Sequence, residues 1–159
     1  MSTGTPLIET VISNIETDLK AISPINSFRT KPQIISRELQ GFDEINDFPA
    51  LFLSLDRIET QDETNKEIKS NIHLVIYGYV RYNPKGTDTD GAQTQLINLI
   101  ADIIEKLKND ITRGVGALST TFPSIITDRG TFEPLAAFIM EVVVELDFVG
   151  TDTTTNYDD

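Results

Sequence analysis

The chain has 159 residues, no cysteine, and 25 acidic against 13 basic side chains, a formal net charge of −12. That length fits one domain with its own core, and 39% hydrophobic residues lie well above the disordered class. The missing cysteines exclude a disulfide scaffold, a thiol nucleophile and every zinc site built on Cys, and the acidic balance argues against a general nucleic-acid binder, whose phosphate affinity comes from Lys and Arg.

No apolar run approaches the roughly 18 residues of a membrane helix. Residues 1–6 carry neither a charged n-region nor an apolar h-region, so no signal peptide is expected. The first element is a helix over 6–22. Leu7, Val11, Ile15 and Leu19 recur every four residues, and Ile8, Ile12 and Ile22 widen the stripe. Thr5 is placed to cap it, with Pro6 in the first turn and Ser23-Pro24 at its end.

Residues 23–48 are less regular, with Ile34 and Ile35 opening a short strand. From Ala50, Leu51, Leu53 and Leu55 alternate with Phe52, Ser54 and Asp56, the period of a half-buried strand. In the next strand Ile72, Leu74, Ile76, Gly78 and Val80 face one way, and His73, Val75, Tyr77, Tyr79 and Arg81 the other. Gln61 to Thr64 turn the chain back, so 50–60 and 65–82 read as a hairpin. Its second strand, about 17 residues, spans roughly 55 Å, more than the roughly 40 Å diameter of a domain this size. Either the strand bends or the tip projects as a polar arm. Such an arm carries Arg57, Glu59, Asp62, Glu63, Lys66, Glu67 and Lys69, a candidate oligomer or partner interface.

A second helix is expected over 91–110. Leu96, Leu99, Ile100, Ile103, Ile104, Leu107 and Ile111 form its stripe, Asp90 and Gln93 a capping pair, and Arg113-Gly114 its end. Residues 117–127 supply a further strand. In the last strand Phe138, Met140, Val142, Val144, Leu146 and Phe148 share a core face. Ile139, Glu141, Val143, Glu145, Asp147 and Val149 share the other, which makes Glu141, Glu145 and Asp147 a candidate acidic face toward solvent or a lumen. Residues 1–150 then form one domain, and the acidic tail 151–159 is expected to be disordered. The order predicts an α+β fold: an antiparallel sheet of four or five strands covered on one face by two helices.

Signatures of chemistry are sparse. His73 is the only histidine and has no helper motif near it in sequence, so it reads as an ordinary sheet residue. Gly114-Val115-Gly116-Ala117-Leu118-Ser119 follows a helix, whereas a dinucleotide fingerprint follows a strand. Asp88-Thr89-Asp90-Gly91 lacks the ligand spacing of a calcium loop. No catalytic residue, metal or cofactor is expected.

One layout is familiar. Phe48-Pro49-Ala50-Leu51 opens a strand, and Ile76-Tyr77-Gly78-Tyr79-Val80 closes the hairpin. Residues 96–110 read L-x-x-L-I-x-D-I-I-x-x-L-x-x-D, and Thr127-Asp128-x-Gly130, Pro134, Ala136 and Met140 lead into the acidic-faced strand. Over about residues 6–148 this resembles the tail terminator (tail completion, minor tail) proteins of tailed bacteriophages. The resemblance implies a virion protein without enzymatic activity, assembled in the host cytoplasm into a hexameric ring. It implies as partners the tail tube protein, the head connector and, in a contractile tail, the sheath protein, with DNA passing through unbound and no membrane contact. A competing reading is an acidic inhibitor that mimics DNA. The lysines and arginines interleaved along the hairpin fit that less well than an unbroken acidic stripe would.

Overall fold

The structure is a computed structural model. It describes Gly4 and residues 6–62, 67–83, 91–109, 113, 116–129 and 134–149. Two helices, α1 (Leu7–Lys20) and α2 (Ala92–Asn109), accompany six strands: β1 (Ile34–Ser36), β2 (Ala50–Asp62), β3 (Glu67–Arg81), β4 (Ser119–Thr121), β5 (Ile125–Thr127) and β6 (Leu135–Val149). The fold is α+β. The sheet is mixed rather than purely antiparallel, because β1 pairs parallel to β2. It has six strands rather than four or five, in the order β1-β2-β3-β6-β4, with β5 also on β6.

The expected strand over 117–127 is two pieces on one line. Ser119–Thr121 pair with Glu145–Val143, and Ile125–Thr127 pair with Met140–Phe138. Between them three residues, Phe122, Pro123 and Ser124, stand against two of β6, and proline has no N–H for a ladder. Ser124 still accepts a bond from the Glu141 N–H through its carbonyl, at 2.8 Å.

Both helices are capped one residue later in the chain than expected. Pro6 occupies the N-cap position of α1 and accepts from Thr10 N–H at 3.0 Å, while Thr5 lies outside the described residues. Gly91 accepts from Gln95 N–H at 3.0 Å, so Asp90, also outside them, precedes the cap of α2. After α1, Ser23 caps a separate short 3₁₀ turn, accepting from Ile25 N–H at 3.2 Å.

The apolar stripes meet as their periods require. Val11, Ile15 and Leu19 from α1 and Leu96, Leu99, Ile103 and Leu107 from α2 are fully buried. They pack on one sheet face made of Leu51, Leu53, Ile72, Leu74, Ile76, Met140, Val142 and Val144. Gly78 belongs to this face and pairs with Phe138 across the strands. A Cβ there would lie 2.0 Å from a carbon of the Phe138 ring, so the ring fills the space the glycine leaves. Leu55 departs from expectation. It shares the core face by register with Leu74, yet is 43% exposed while Leu74 is wholly buried, because from Leu53 on β2 is the marginal strand of the sheet among the described residues.

Three polar ties clamp the irregular segments to the helices. Asp102, fully buried on α2, accepts from the backbone N–H groups of Arg29 (2.9 Å) and Thr30 (2.7 Å), from the Thr30 hydroxyl (2.6 Å) and from the Arg29 guanidinium (2.8 Å). Arg113, also fully buried and in left-handed backbone conformation (φ 54°), donates to Asp18 at 2.8 Å and to the Leu107 carbonyl at 2.7 Å, which joins the C-terminal ends of both helices. Arg37 donates two bonds to Glu9, each 2.8 Å, and one to Glu16 at 3.2 Å. The Arg37 guanidinium, helped by the Ser13 hydroxyl, holds the Glu9 carboxyl down at about 2 from an ordinary 4.5.

Candidate functional site: the open sheet face and the distal strands

The hairpin forms with the expected partners, but its tip is not a free two-stranded arm. β3 pairs with β6 along its whole length, from Arg81 opposite Leu135 to Glu67 opposite Val149. The distal region is therefore a three-stranded sheet of β2, β3 and β6. Ser70, close to the charged end of the hairpin, is buried opposite Leu146.

This pairing merges two sets of residues that the sequence keeps apart. Arg57, Glu59 and Lys69 from the hairpin lie on the sheet face away from the helices, together with Glu141, Glu145 and Asp147 of β6. Arg57 stands opposite His73, Lys69 opposite Asp147, and Glu59 opposite Asn71, which in turn faces Glu145. The Lys69 ammonium lies 3.9 Å from the Glu145 carboxylate. Arg57 binds Asp56 at 2.7 Å and reaches within 3.9 Å of Glu59. Asp62 and Glu67 lie on the distal strands, but their side chains, with all of Glu63 and Lys66, fall outside what is described. So do the remaining sequence expectations at Ile111, Gly114, Val115, Asp88 to Asp90 and the tail 151–159.

His73 has partners that only the fold supplies. Its Nε2 meets a Glu59 carboxylate oxygen at 2.5 Å. Its Nδ1, buried and without a hydrogen bond, faces Glu141 at 3.9 Å. Glu59 is 14 residues away in sequence and Glu141 is 68, and both arrive through cross-strand register rather than spacing. The ring is 7% exposed, so it sits beneath the carboxylates rather than presenting itself to solvent. A carboxylate–imidazole pair can pass a proton in principle. Here its geometry joins β2, β3 and β6 across the open face.

The same face changes character along its length. Near β1 it is apolar and partly roofed, with Ala50 and Phe52 buried against Ile45 and flanked by Ile34, Phe48, Tyr77 and Tyr79. Toward β5 it is open: Ile126 (61% exposed) and Ile139 border a hollow of about 150 Å3 that Ala137 and Asp128 also line. At the distal end a second hollow, about 230 Å3, is lined by Glu59, Thr60, Gln61, Lys69 and Asn71. On the opposite, helix-facing side Leu55 and Ile58 of β2 are partly exposed beside the buried Leu74 and Ile72 of β3, and Ile68 is partly exposed two residues beyond the buried Ser70.

Asp102 and Arg113 lie outside the candidate surface, and of the two only Asp102 has a sequence signal. Asp102 interrupts the apolar stripe of α2 between Leu99 and Ile103, and a charge on a buried stripe requires partners. Their contacts tie the framework together. No helix among the described residues is long and apolar enough to cross a membrane. No protein-family model matches the chain, and no curated protein matches it significantly.

Proposed function

We propose that the chain is a structural, non-catalytic subunit of a phage tail. In this reading it forms a ring on the last turn of the tail tube, ends elongation and offers a surface to the head connector. The observation that carries it is the distal sheet. β2, β3 and β6 stay paired as far as Asp62, Glu67 and Val149, and they leave Leu55, Ile58 and Ile68 partly exposed beside the buried Ile72, Leu74 and Ser70 of the core face. Apolar side chains in that position fit burial against a neighbouring subunit or the tube. The net charge of −12 suits a conduit, because like-charged walls do not hold a passing polyanion. Arg57 and Lys69, set among Glu59, Glu141 and Glu145, break the continuous acidic stripe that a DNA mimic requires.

The family resemblance sets the expected ring at six copies, with the tube protein, the connector and, in a contractile tail, the sheath protein as its neighbours. Negative-stain imaging of the purified protein, alone and with tail tubes, tests this. Rings or ring-shaped caps at one tube end, with tails of uniform length, are the expected result. Tubes that stay uncapped and grow without limit in the presence of the protein would overturn it.

A further inference from the structure

β2 is an edge strand for most of its length. β1 covers it only at Ala50, Leu51 and Phe52. From Leu53 to Asp62 it has β3 on one side and, among the described residues, no strand on the other. A bare edge of that length is a template for another strand. Proteins blunt such edges with bulges and charge, and β2 has both: the register shifts between Leu55 and Arg57, and Arg57 and Glu59 flank Ile58. The order of those charges is what matters.

Two copies of one strand can pair antiparallel only about a two-fold axis through a residue facing itself, since any other offset sets side chains of opposite faces together. With the axis at Ile58, Arg57 of each copy faces Glu59 of the other, and Ile58 faces Ile58. With the axis at Glu59, two glutamates face each other. With the axis at Thr60, Ile58 faces Asp62. Of these three the first alone satisfies both faces, with salt bridges on the open side and an apolar pair on the helix side. The side chains it needs reach solvent, Arg57 51%, Glu59 58% and Ile58 38% exposed, although Arg57 also binds Asp56 and Glu59 also meets His73 within the chain.

We propose that a second copy of this chain adds to the β2 edge, antiparallel about a two-fold axis at Ile58, so that two sheets become one. The bulge at Asp56 keeps the regular ladder short, which makes the dimer a weak, concentration-dependent one. The proposal does not rest on the ring reading. An isologous edge contact closes at two copies, whereas a ring repeats a head-to-tail contact.

Light-scattering mass measured across a dilution series, beside hydrogen exchange on the same samples, tests it. The mass should climb from 17.7 kDa toward twice that value as concentration rises. The amides from Arg57 to Thr60 should gain protection in step. Arg57→Glu should weaken the dimer on the order of tenfold, because two favourable cross-strand pairs become repulsive. Ile58→Lys should abolish it while leaving the melting curve in place. The charge swap R57E/E59R should restore it relative to Arg57→Glu alone. A monomeric mass at millimolar concentration, unchanged protection of those amides, or a dimer indifferent to Arg57→Glu would each overturn the proposal. Rings that form without any change in edge protection would also reject it, while leaving the ring reading intact.

Discussion

Replacing Gly78 by alanine adds one methyl group at the most crowded point of the sheet. Its Cβ would meet three carbons of the Phe138 ring at 2.0, 2.3 and 2.8 Å. The ring has little room to retreat, since Phe138 is 1% exposed and lies within the main core. Two responses are open: the ring leaves its rotamer or the strands move apart. Overpacking of this kind costs about 1–3 kcal/mol, and full expulsion of the ring approaches the about 3–5 kcal/mol of a Phe truncation. For a chain of this size the overpacking cost alone is a fall in melting temperature of about 2–12 °C. The decisive assay is a double-mutant cycle read by urea denaturation. Gly78→Ala should be costly alone, and Phe138→Leu should cost a moderate amount alone. The pair together should be less destabilised than their sum, because the smaller side chain vacates the space the methyl group needs. Additive effects, or a Gly78→Ala protein that melts with the parent, would refute the idea that the glycine exists to admit the ring.

Other expectations follow from the polar ties and the helix stripe. Asp102→Ala removes the acceptor for four donors around a fully buried carboxylate and should cost about 3 kcal/mol or more, visible as a lower urea midpoint. Ile103→Ala should cost about 2–5 kcal/mol by the same measurement, since its side chain is wholly buried on α2. Glu9, held at about 2, lends stability that is present in full above an ordinary 4.5 and is lost as pH falls toward 2. The gap in urea midpoint between the parent and Arg37→Ala should therefore be constant above about pH 5 and narrow on acidification through that window. A gap that stays constant down to pH 2 would show that Arg37 acts only through packing.

Elements with a strong period were legible in the sequence. α1, α2 and the core faces of β3 and β6 fall where alternation and the helical repeat place them, because burial on one face leaves no freedom of register. The three-residue strands were harder, as β1, β4 and β5 are too short to show a period. The parallel pairing of Ile34 with Ala50 depends on how residues 37–49 return the chain, which no local pattern encodes. The candidate surface was half legible. Its charges were read as two groups, a hairpin arm and an acidic strand face, because only the β3–β6 register brings Lys69 to Asp147 and His73 to Glu141. The marginal place of β2 is equally absent from any local pattern: alternation puts Leu55 on the core face, where it is 43% exposed beside a wholly buried Leu74.

β6 follows every other strand in the chain, yet it is the one that β3, β4 and β5 all require. Arg81 waits 54 residues for Leu135, and Glu67 waits 82 for Val149. Contacts so distant in sequence form late, after a large loop-closure cost. During synthesis the β2–β3 hairpin therefore stands with its β3 edge bare, and its β2 edge bare from Leu53 on, until β6 emerges and occupies the first. Nascent chains on one messenger would meet each other at those edges first. The bulge at Asp56 then acts before the native state exists, limiting the ladder that half-made copies can build on the β2 edge until β6 has closed the other one.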